Sequence, residues 1–476
     1  MQRSTKIVAT LGPASSERSV LSRIIAAGVD VVRMNFSHGT RDDHIGRAEL
    51  VREVSRELGR TVGLMVDLQG PKIRIGKFEQ NKIRLETGDP FVLDADCGMG
   101  NQERVGLDYK ELPRDVKSGD VLLLDDGRIV LDVKSVQGSQ IRTVVRHGGD
   151  VSNNKGINRQ GGGLTAPALT GKDMDDIKTA AQLKADFLAV SFPKSGADMY
   201  MARELMRAAG GQALLIAKIE RAEAITALKE IIEASDAIMV ARGDLAVEIG
   251  DAAVPAMQKR MIRLAREMNK LTITATQMME SMISSPVPTR AEVSDVANAV
   301  LDGTDAVMLS AETASGRYPV ETVEAMARVC LEAEKSTEVT LDREFLDRVF
   351  TRVDQSIAMG ALFTAYHLKV KAIAALTQSG STALWMSRLN CGVPIYALTP
   401  EVSTRYKLSL FRDVYPLMLQ YVGDSRETLL RMAEEKLVES GAVRPGDLFV
   451  LTVGEPIGQP GGTNTMKIVR VGESPA

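Results

Sequence analysis

The segment LLIAKIE at residues 214–220 contains the pattern that decides the fold, a short apolar run that ends in charged side chains. Its run, Leu214–Lys218, has seven counterparts rich in Val, Ile, Leu and Met, each followed by a helix-like stretch: Lys6–Leu11, Val29–Met34, Val62–Val66, Phe187–Val190, Ala237–Val240, Leu271–Thr274 and Ala306–Leu309. Runs that are apolar throughout, rather than alternating, are typical of parallel strands covered on both faces by helices. Eight such strands predict an α/β fold built on a (β/α)8 TIM barrel.

The interval between the third and fourth runs is far longer than a usual βα connection of about 2–6 residues plus a helix. It contains short apolar or alternating segments and an Asp126-Gly127 turn signal. We therefore predict an inserted lid domain, a small β-barrel, at residues 70–163. The catalytic barrel would comprise residues 1–69 and 164–338, and a C-terminal α/β domain would follow at 339–476.

Helix signals occur where this scheme needs them. Thr289 and Glu292 have the spacing of a capping box, with Thr289 as the N-cap of a helix. That helix should end near Gly303, because glycine readily adopts the left-handed conformation of a C-terminal cap.

Composition excludes several classes of protein. The 476 residues carry a formal net charge of −3, which provides no basic footprint for nucleic acid and no reason to expect a membrane surface as partner. The three cysteines, Cys97, Cys330 and Cys391, are too scattered for a disulfide framework or a thiolate metal site. Without a leader-like or membrane-spanning apolar run, we expect a cytoplasmic protein.

Polar side chains stand at the ends of several strand runs, where a barrel of this type carries its active site. They are Arg33, Asn35 and Ser37, then Asp67, Lys218, Glu220, Asp244, Thr276 and Ser310. Carboxylates without clustered Cys or His suit magnesium or manganese. Cationic side chains beside them suit a phosphorylated anionic substrate, and phosphoryl transfer requires mainly positioning and charge neutralisation.

Each of these features has a structural alternative. The Lys218–Glu220 spacing is also that of an ordinary ion pair, and Arg33 can simply brace Asp67. Asn35 belongs to a residue type that is common in turns and helix caps. The coincidence of polar groups at the functional end of the strands favours a site.

Longer segments resemble the pyruvate kinase family. They are Val32–Gly39 (VRMNFSHG), Ile216–Glu220 (IAKIE), Met239–Leu245 (MVARGDL), Ala275–Met282 (ATQMMESM), Pro288–Glu292 (PTRAE) and Met308–Ala314 (MLSAETA). The likeness extends over almost the whole chain. It implies a magnesium-dependent, allosterically regulated homotetramer that transfers the phosphoryl group of phosphoenolpyruvate to ADP, giving pyruvate and ATP in the last step of glycolysis.

The resemblance also implies roles for individual residues. Glu220 and Asp244 would hold magnesium or manganese. The implied catalytic residues are Lys218, Arg33, Thr276 and Ser310. The implied substrate-binding residues are Arg33, Lys218, Gly243, Asp244 and Thr276, and the implied nucleotide-binding residues are Asn35, Phe36, Ser37, His38, Arg74 and Lys155.

The chain departs from the family's pattern at a monovalent cation site. Many members bind potassium through residues that match Asn35, Ser37, Asp67 and the backbone oxygen of Leu68, and they carry Glu where this chain has Lys72. A fixed ammonium disfavours a second cation nearby. We therefore expect Lys72 to take the electrostatic place of potassium and the enzyme to work without that ion.

A second departure concerns regulation. A loop in the C-terminal domain resembles the family's effector phosphate loop and contains Thr377, Ser379, Gly380, Ser381 and Thr382. Gln378 stands where relatives that respond to fructose-1,6-bisphosphate often have Lys. We expect a phosphorylated small-molecule effector with one phosphate, a sugar monophosphate or a nucleotide, while an ordinary strand–helix turn is the alternative.

Two other functions stay open. A magnesium-dependent barrel lyase that stabilises a pyruvate enolate would share the arginine and the carboxylates, but it would need neither the lid nor Lys155. A catalytically inactive binding protein would be expected to lack Lys218, Glu220 or Asp244, and this chain retains all three.

Overall fold

The α/β barrel is confirmed by the computed structural model, which describes residues 2–336, 349–421, 425–456 and 461–473. Eight parallel strands close into a barrel: β1 (Lys6–Thr10), β2 (Val31–Asn35), β3 (Gly63–Asp67), β12 (Phe187–Val190), β13 (Leu214–Ile219), β14 (Ala237–Ala241), β15 (Leu271–Ala275) and β16 (Ala306–Leu309). Pairing of β1 with β16 closes the ring. Each strand coincides within two residues at either end with a predicted run.

Helices surround this barrel and fill the predicted intervals. Their bounds are α1 (Arg18–Ala27), α2 (Arg41–Glu57), α4 (Gly171–Gln182), α5 (Gly196–Ala208), α6 (Ala222–Thr226), α7 (Leu228–Ala234), α8 (Arg242–Ile249), α9 (Val254–Glu267), α10 (Arg290–Leu301), α11 (Ala311–Ala314) and α12 (Pro319–Lys335). The predicted capping box is present, since the Thr289 side chain accepts a hydrogen bond from the Glu292 backbone. Gly303 follows with a φ of 87°.

The insertion between β3 and β12 is β-rich, as predicted. Its elements are β4 (Lys82–Leu85), β5 (Pro90–Asp94), β6 (Arg104–Val105), α3 (Leu112–Asp115), β7 (Val121–Leu124), β8 (Ile129–Gln137), β9 (Gln140–His147), β10 (Gly149–Ser152) and β11 (Ile157–Arg159). They form a six-stranded sheet, in the order β11-β7-β8-β9-β5-β6, and a two-stranded ribbon of β10 and β4. Side chains from both, such as Leu131 and Val151, bury themselves in one shared core. The expected turn at Asp126-Gly127 joins β7 to β8.

The C-terminal part is a second α/β unit. Its elements are α13 (Val353–Leu368), β17 (Ala372–Leu376), α14 (Ser381–Ser387), β18 (Ile395–Thr399), α15 (Val402–Lys407), β19 (Val414–Met418), α16 (Arg426–Glu439), β20 (Leu448–Gly454) and β21 (Thr463–Arg470). The sheet order is β19-β18-β17-β20-β21, and β21 is antiparallel to β20 while the other pairs are parallel.

The C-terminal unit packs against the amino ends of the barrel strands. At the start of β3, a side chain on Gly63 would approach the Ser409 hydroxyl to 2.6 Å, so the two parts meet closely there. The fully buried Asp305, just before β16, accepts hydrogen bonds from the Arg388 guanidinium and from the Arg412 backbone. The insertion therefore lies at the opposite mouth of the barrel, which the carboxyl ends of the strands form.

In the part of the chain that the structure describes, no helix has the length and apolar character needed to cross a membrane.

Candidate active site

Four charged side chains meet at the carboxyl ends of neighbouring barrel strands. The Lys218 ammonium on β13 lies 2.8 Å from Glu220 Oε1 and 3.4 Å from Asp67 Oδ1. Arg33 on β2 donates from Nε to Asp67 Oδ2 at 2.6 Å. Strand periodicity brings Lys218 and Glu220 to the same side, because residues two apart share a face. The structure brings these groups together at the strand ends, where the sequence pattern predicts a site. Arg33 also braces Asp67, which is the structural alternative for that residue.

Burial makes the charges of this cluster interdependent. Desolvation opposes ionisation of Asp67, but Lys218 and Arg33 outweigh it and lower its pKa. Desolvation likewise opposes the Lys218 charge, yet Asp67 and Glu220 together raise the pKa of the ammonium. For Glu220 desolvation dominates, and with the nearby Asp244 charge it raises the carboxyl pKa to about 7 despite Lys218. A cation at Glu220 would therefore relieve an electrostatic cost that the protein alone does not remove.

Two polar residues of the cluster were not singled out from the sequence. Ser191, directly after β12, accepts a hydrogen bond from Lys218 Nζ at 2.8 Å and donates to the Leu68 carbonyl at 2.7 Å. Thr10, at the end of β1, accepts from Arg33 Nη1 at 3.0 Å. The strand-end rule applied to the first and fourth runs would have found both.

Asp244 and Glu220 have the character of a divalent metal site. Asp244 lies in the first turn of α8 and forms no ion pair with any described residue. Its charge raises the pKa of Glu220, so the two like charges are close. No group of three or more His, Cys, Asp or Glu within the described ranges is arranged to hold a metal. The donor set thus fits a hard cation bound by two carboxylates, with substrate oxygens or water as its other ligands.

The loop after β15 holds Thr276 in an unusual backbone conformation. Thr276 has a φ of 72°, which is rare for a β-branched residue and marks a strained position. Its hydroxyl accepts a hydrogen bond from the Gly243 backbone at 2.8 Å and donates to the Ala275 carbonyl. Arg242 donates to the Thr276 carbonyl at 2.8 Å and is itself anchored on Asp295. This network joins the predicted substrate residues Gly243 and Thr276.

Ser310, at the end of β16, is held through its backbone. Its amide donates to the fully buried Glu312 at 2.6 Å, and the same carboxylate accepts from the Met279 amide at 3.1 Å. Glu312 therefore ties the ends of β15 and β16 together, a role that the sequence analysis did not assign.

The predicted nucleotide residues fall into two groups. Four of them are consecutive at the end of β2, where Asn35 Oδ1 accepts from the Ser37 amide, the Phe36 ring stacks on His44 with centroids 4.0 Å apart, and His38 closes the turn. The other two lie on the insertion: Arg74 donates to the Asn154 carbonyl at 3.1 Å, and Lys155 pairs with Asp125 at 2.8 Å. A nucleotide that reached both groups would span the gap between barrel and insertion.

Comparison with known proteins identifies the family. The family model described as pyruvate kinase, barrel domain, matches residues 2–323, and the one described as pyruvate kinase, alpha/beta domain, matches residues 355–469. The chain is 55% identical to a pyruvate kinase of Haemophilus influenzae over 95% of its own length and 96% of the relative's. It is 53% identical to pyruvate kinase II of Salmonella typhimurium, with 98% and 99% covered.

The chain belongs to the pyruvate kinase family. Its members are phosphotransferases that act on phosphoenolpyruvate and ADP, or on pyruvate and ATP in reverse, and they generally need a divalent metal. A 42% identical pyruvate kinase of Mycobacterium tuberculosis matches over 99% of both chains, so the resemblance includes the insertion and the C-terminal unit.

The residues that correspond to the potassium site of many pyruvate kinases are close together, but Lys72 points elsewhere. Asn35, Ser37, Asp67 and Leu68 lie at the ends of β2 and β3, and Arg33 and Lys218 already surround the Asp67 carboxylate. The Lys72 stem lies beside Gly156 of the insertion, in a narrow cleft that Asp244 also lines. Within the described residues, no ion pair joins Lys72 to Asp67.

The loop predicted to bind a pyruvate kinase effector borders a cavity of about 250 Å³ in the C-terminal unit. Thr377, Ser381 and Thr382 line this cavity, whereas Ser379 and Gly380 form the loop without lining it. Most other lining residues are apolar: Leu376, Leu398, Pro400, Leu419, Leu429 and Val453, joined by Tyr421. Glu455, which directly follows β20, pairs with Arg426.

Proposed function

We propose that this chain catalyses transfer of the phosphoryl group of phosphoenolpyruvate to ADP, with the residue roles that the resemblance implies. The observation that carries the proposal is the convergence of Arg33, Lys218 and Glu220 around Asp67 at the barrel mouth of a pyruvate kinase family member. Cationic and carboxylate groups in one water-poor place suit the binding and neutralisation of a transferring phosphoryl group.

The residues divide the work by position. Arg33 and Lys218 bind the phosphate, and Lys218 stabilises the charge that develops as the phosphorus–oxygen bond breaks. The backbone of Gly243 and Asp244, with the Thr276 hydroxyl, holds the substrate carboxylate. Glu220 and Asp244 would hold magnesium or manganese, which would supply positive charge to the substrate oxygens.

The second half of the reaction protonates the carbon of the leaving enolate. Thr276 and Ser310, at the ends of neighbouring strands, relay that proton. The six residues Asn35, Phe36, Ser37, His38, Arg74 and Lys155 seat the nucleotide so that its terminal phosphate oxygen accepts the phosphoryl group.

A coupled assay tests the proposal directly. Purified chain supplied with phosphoenolpyruvate, ADP and magnesium should form ATP and pyruvate in equal amounts, and removal of divalent metal should abolish both. Absence of ATP together with carbon–carbon cleavage of a larger keto acid would favour a barrel lyase, and absence of both activities would favour a binding protein.

Potassium independence is the second part of the proposal. Arg33 and Lys218 already neutralise Asp67, so a further monovalent cation gains little there. Turnover in choline or tetramethylammonium buffer should equal turnover in potassium buffer. A collapse that potassium restores would reject this part.

The C-terminal cavity is proposed to take a phosphorylated effector with one phosphate. Hydroxyls of Thr377, Ser381 and Thr382 in the cavity lining can bind a phosphate, while the apolar side chains and Tyr421 of the same lining suit a sugar or base. Titration of activity with glucose 6-phosphate, AMP and fructose-1,6-bisphosphate decides the effector class. If none of the three compounds changed the activity, the loop would be an ordinary strand–helix turn.

The proposed assembly is a cytoplasmic homotetramer. Each chain is proposed to have three domains: the barrel (1–69 and 164–338), the lid (70–163) and the C-terminal α/β domain (339–476). The edge strand β21 supports this assembly, because its outer side has no partner strand among the described residues and Ile468 on it is 45% exposed. Such an edge is a natural pairing surface for a second copy. Sedimentation of the wild-type chain and of Ile468→Glu should give a tetramer and a smaller species respectively.

A further inference from the structure

The segment that returns from the insertion to the barrel rests on two glutamates of the barrel rim. The Gly163 amide donates to Glu223 Oε1, and the Gly161 amide donates to the Glu248 carbonyl at 3.2 Å. The three consecutive glycines 161–163 have φ values of 82°, 76° and 90°, so all are left-handed. We call Glu223, Glu248 and these three glycines the lid seat.

At Gly162 the lid seat has no room for a side chain unless the Glu223 carboxylate moves. A methyl group added to Gly162 would come within 2.3 Å of Glu223 Oε2. Its positive φ independently favours glycine there. The backbone of the return segment therefore lies directly on the glutamate.

Glu248 connects the insertion to the barrel through several groups. It is only 5% exposed, its carboxylate accepts from the Ala222 amide at 2.8 Å, and it also hydrogen-bonds the Asn158 side chain on β11. Ala222 begins α6, and Glu248 lies in the last turn of α8. The seat is thus built on the two short helices that follow β13 and β14, of which α6 comes two residues after Glu220 and α8 contains Asp244.

On the lid side, the return segment is braced by an arginine. Arg159 forms a two-pronged ion pair with Asp120, at 3.0 and 3.1 Å, and donates to the Gly162 carbonyl at 2.9 Å. A displacement of the return segment would therefore carry β11 and the rest of the insertion with it.

The junction also contains two buried polar atoms of opposite charge that lack hydrogen bonds. Among the described residues, neither Glu223 Oε2 nor Arg221 Nη1 has a partner. Buried charged atoms without partners cost free energy, so each calls for an explanation.

We propose that Glu223 and Glu248 are positioning residues that hold the lid over the active site, so that the phosphoryl group passes to ADP and not to water. The inference rests on the proposed phosphotransferase function. Loss of the seat admits water to the bound substrate: the same phosphorus–oxygen bond breaks, water supplies the new oxygen, and pyruvate and inorganic phosphate result. The diagnostic quantity is the fraction of pyruvate formed without ATP.

The test uses Glu223→Ala and Glu248→Ala in the full-length chain, with pyruvate, ATP and inorganic phosphate measured in one reaction. Each variant should raise the fraction of pyruvate formed without ATP by at least tenfold and raise the KM for ADP, while the KM for phosphoenolpyruvate stays within twofold. Glu248→Gln keeps the acceptor oxygen and should recover most of the coupling. Glu233→Ala, an exposed carboxylate on α7, is the matched control and should leave all three quantities unchanged.

Amide hydrogen exchange of residues 161–163 gives a readout independent of turnover. Exchange of the Gly163 amide should accelerate in Glu223→Ala, which removes its acceptor, and not in the control, whereas the Gly161 amide keeps its bond to the backbone carbonyl of residue 248 in every variant. A fall in turnover with unchanged coupling and unchanged exchange would assign the glutamates a merely structural role and overturn the inference. Wild-type protein that makes no ATP would instead refute the proposed function itself.

Discussion

Replacement of Lys218 by Met separates the catalytic and structural effects of the central ammonium. Methionine keeps the length and much of the volume of the side chain but removes its charge. In the structure this ammonium lies 2.8 Å from Glu220 and 3.4 Å from Asp67, and both carboxylates are 1% exposed. The substitution leaves Asp67 paired with Arg33, whereas among the described residues Glu220 keeps the hydrogen bond from the Phe192 amide alone.

The expected magnitudes follow from that geometry. Breaking a buried ion pair by removing one partner costs about 3–5 kcal/mol, and the remaining contacts of both carboxylates place Lys218→Met near the lower value of about 3 kcal/mol. At about 2–4 °C per kcal/mol, the metal-free variant should unfold roughly 6–12 °C below wild type. Loss of a charged group directed at the transition state should reduce kcat by at least about 10²–10³-fold.

The metal response should move in the opposite direction. Because Glu220 and Asp244 remain and the competing ammonium is gone, magnesium should bind the variant at least as tightly as wild type. Magnesium at 100 times its Kd would return about 2.7 kcal/mol of stability. Calorimetric melting with and without magnesium, together with steady-state kinetics, measures all of these quantities.

Lys6→Met is the matched control for this experiment. Lys6 is also buried, but its ammonium donates to the Val414 carbonyl at the opposite end of the barrel. Its removal should lower stability without a large effect on kcat. If Lys218→Met retained kcat within tenfold of wild type, or lost magnesium binding, the assignment of Lys218 to the transition state would be wrong.

Four further predictions concern single sites. Burial raises the pKa of Glu220 to about 7, above its ordinary value of 4.5, so the metal-free protein should lose stability as pH rises from 4.5 to 7. The magnesium concentration for half-saturation should rise about tenfold for each pH unit below 7. If neither stability nor magnesium affinity changed with pH, this prediction would be wrong. Lys72→Glu should make turnover depend on potassium, and equal rates in choline and potassium would refute the role of Lys72. Thr289→Ala removes a helix cap and should cost about 1 kcal/mol in denaturant unfolding without changing kinetics. Arg242→Lys should lower kcat more than tenfold through the displaced Thr276 hydroxyl, and its effect should largely vanish in a Thr276→Ala background.

The barrel was predictable because parallel strands buried on both faces have a simple sequence signature. Uninterrupted apolar runs such as Ala306–Leu309 located all eight strands, and the Thr289 capping box located a helix start. The architecture of the insertion was less accessible. Its short apolar segments predict β structure, but the sequence of segments such as Lys82–Leu85 does not indicate that they pair into a separate two-stranded ribbon.

The candidate site was predictable to the extent that strand ends determine it. Their spacing of two residues at the end of β13 was sufficient to bring Lys218 and Glu220 together. The left-handed backbone of Thr276 was not predictable, because it arises from hydrogen bonds with residues distant in sequence, such as Arg242. The direction of Lys72 was also hidden: the chain turns at Gly70, with a φ of 66°, and carries the long side chain toward the insertion.

Although the insertion separates them in sequence, β3 and β12 are direct neighbours in the barrel, with Met65 opposite Phe187 and Val66 opposite Leu188. The ring of strands is therefore continuous without any hydrogen bond from the inserted residues. At the level of the gene, the lid is a domain insertion in one surface loop of the barrel. A shortened gene that joins residue 69 to residue 164 through a brief turn would encode a barrel with all eight strand pairings intact, and foreign domains could be grafted at the same point.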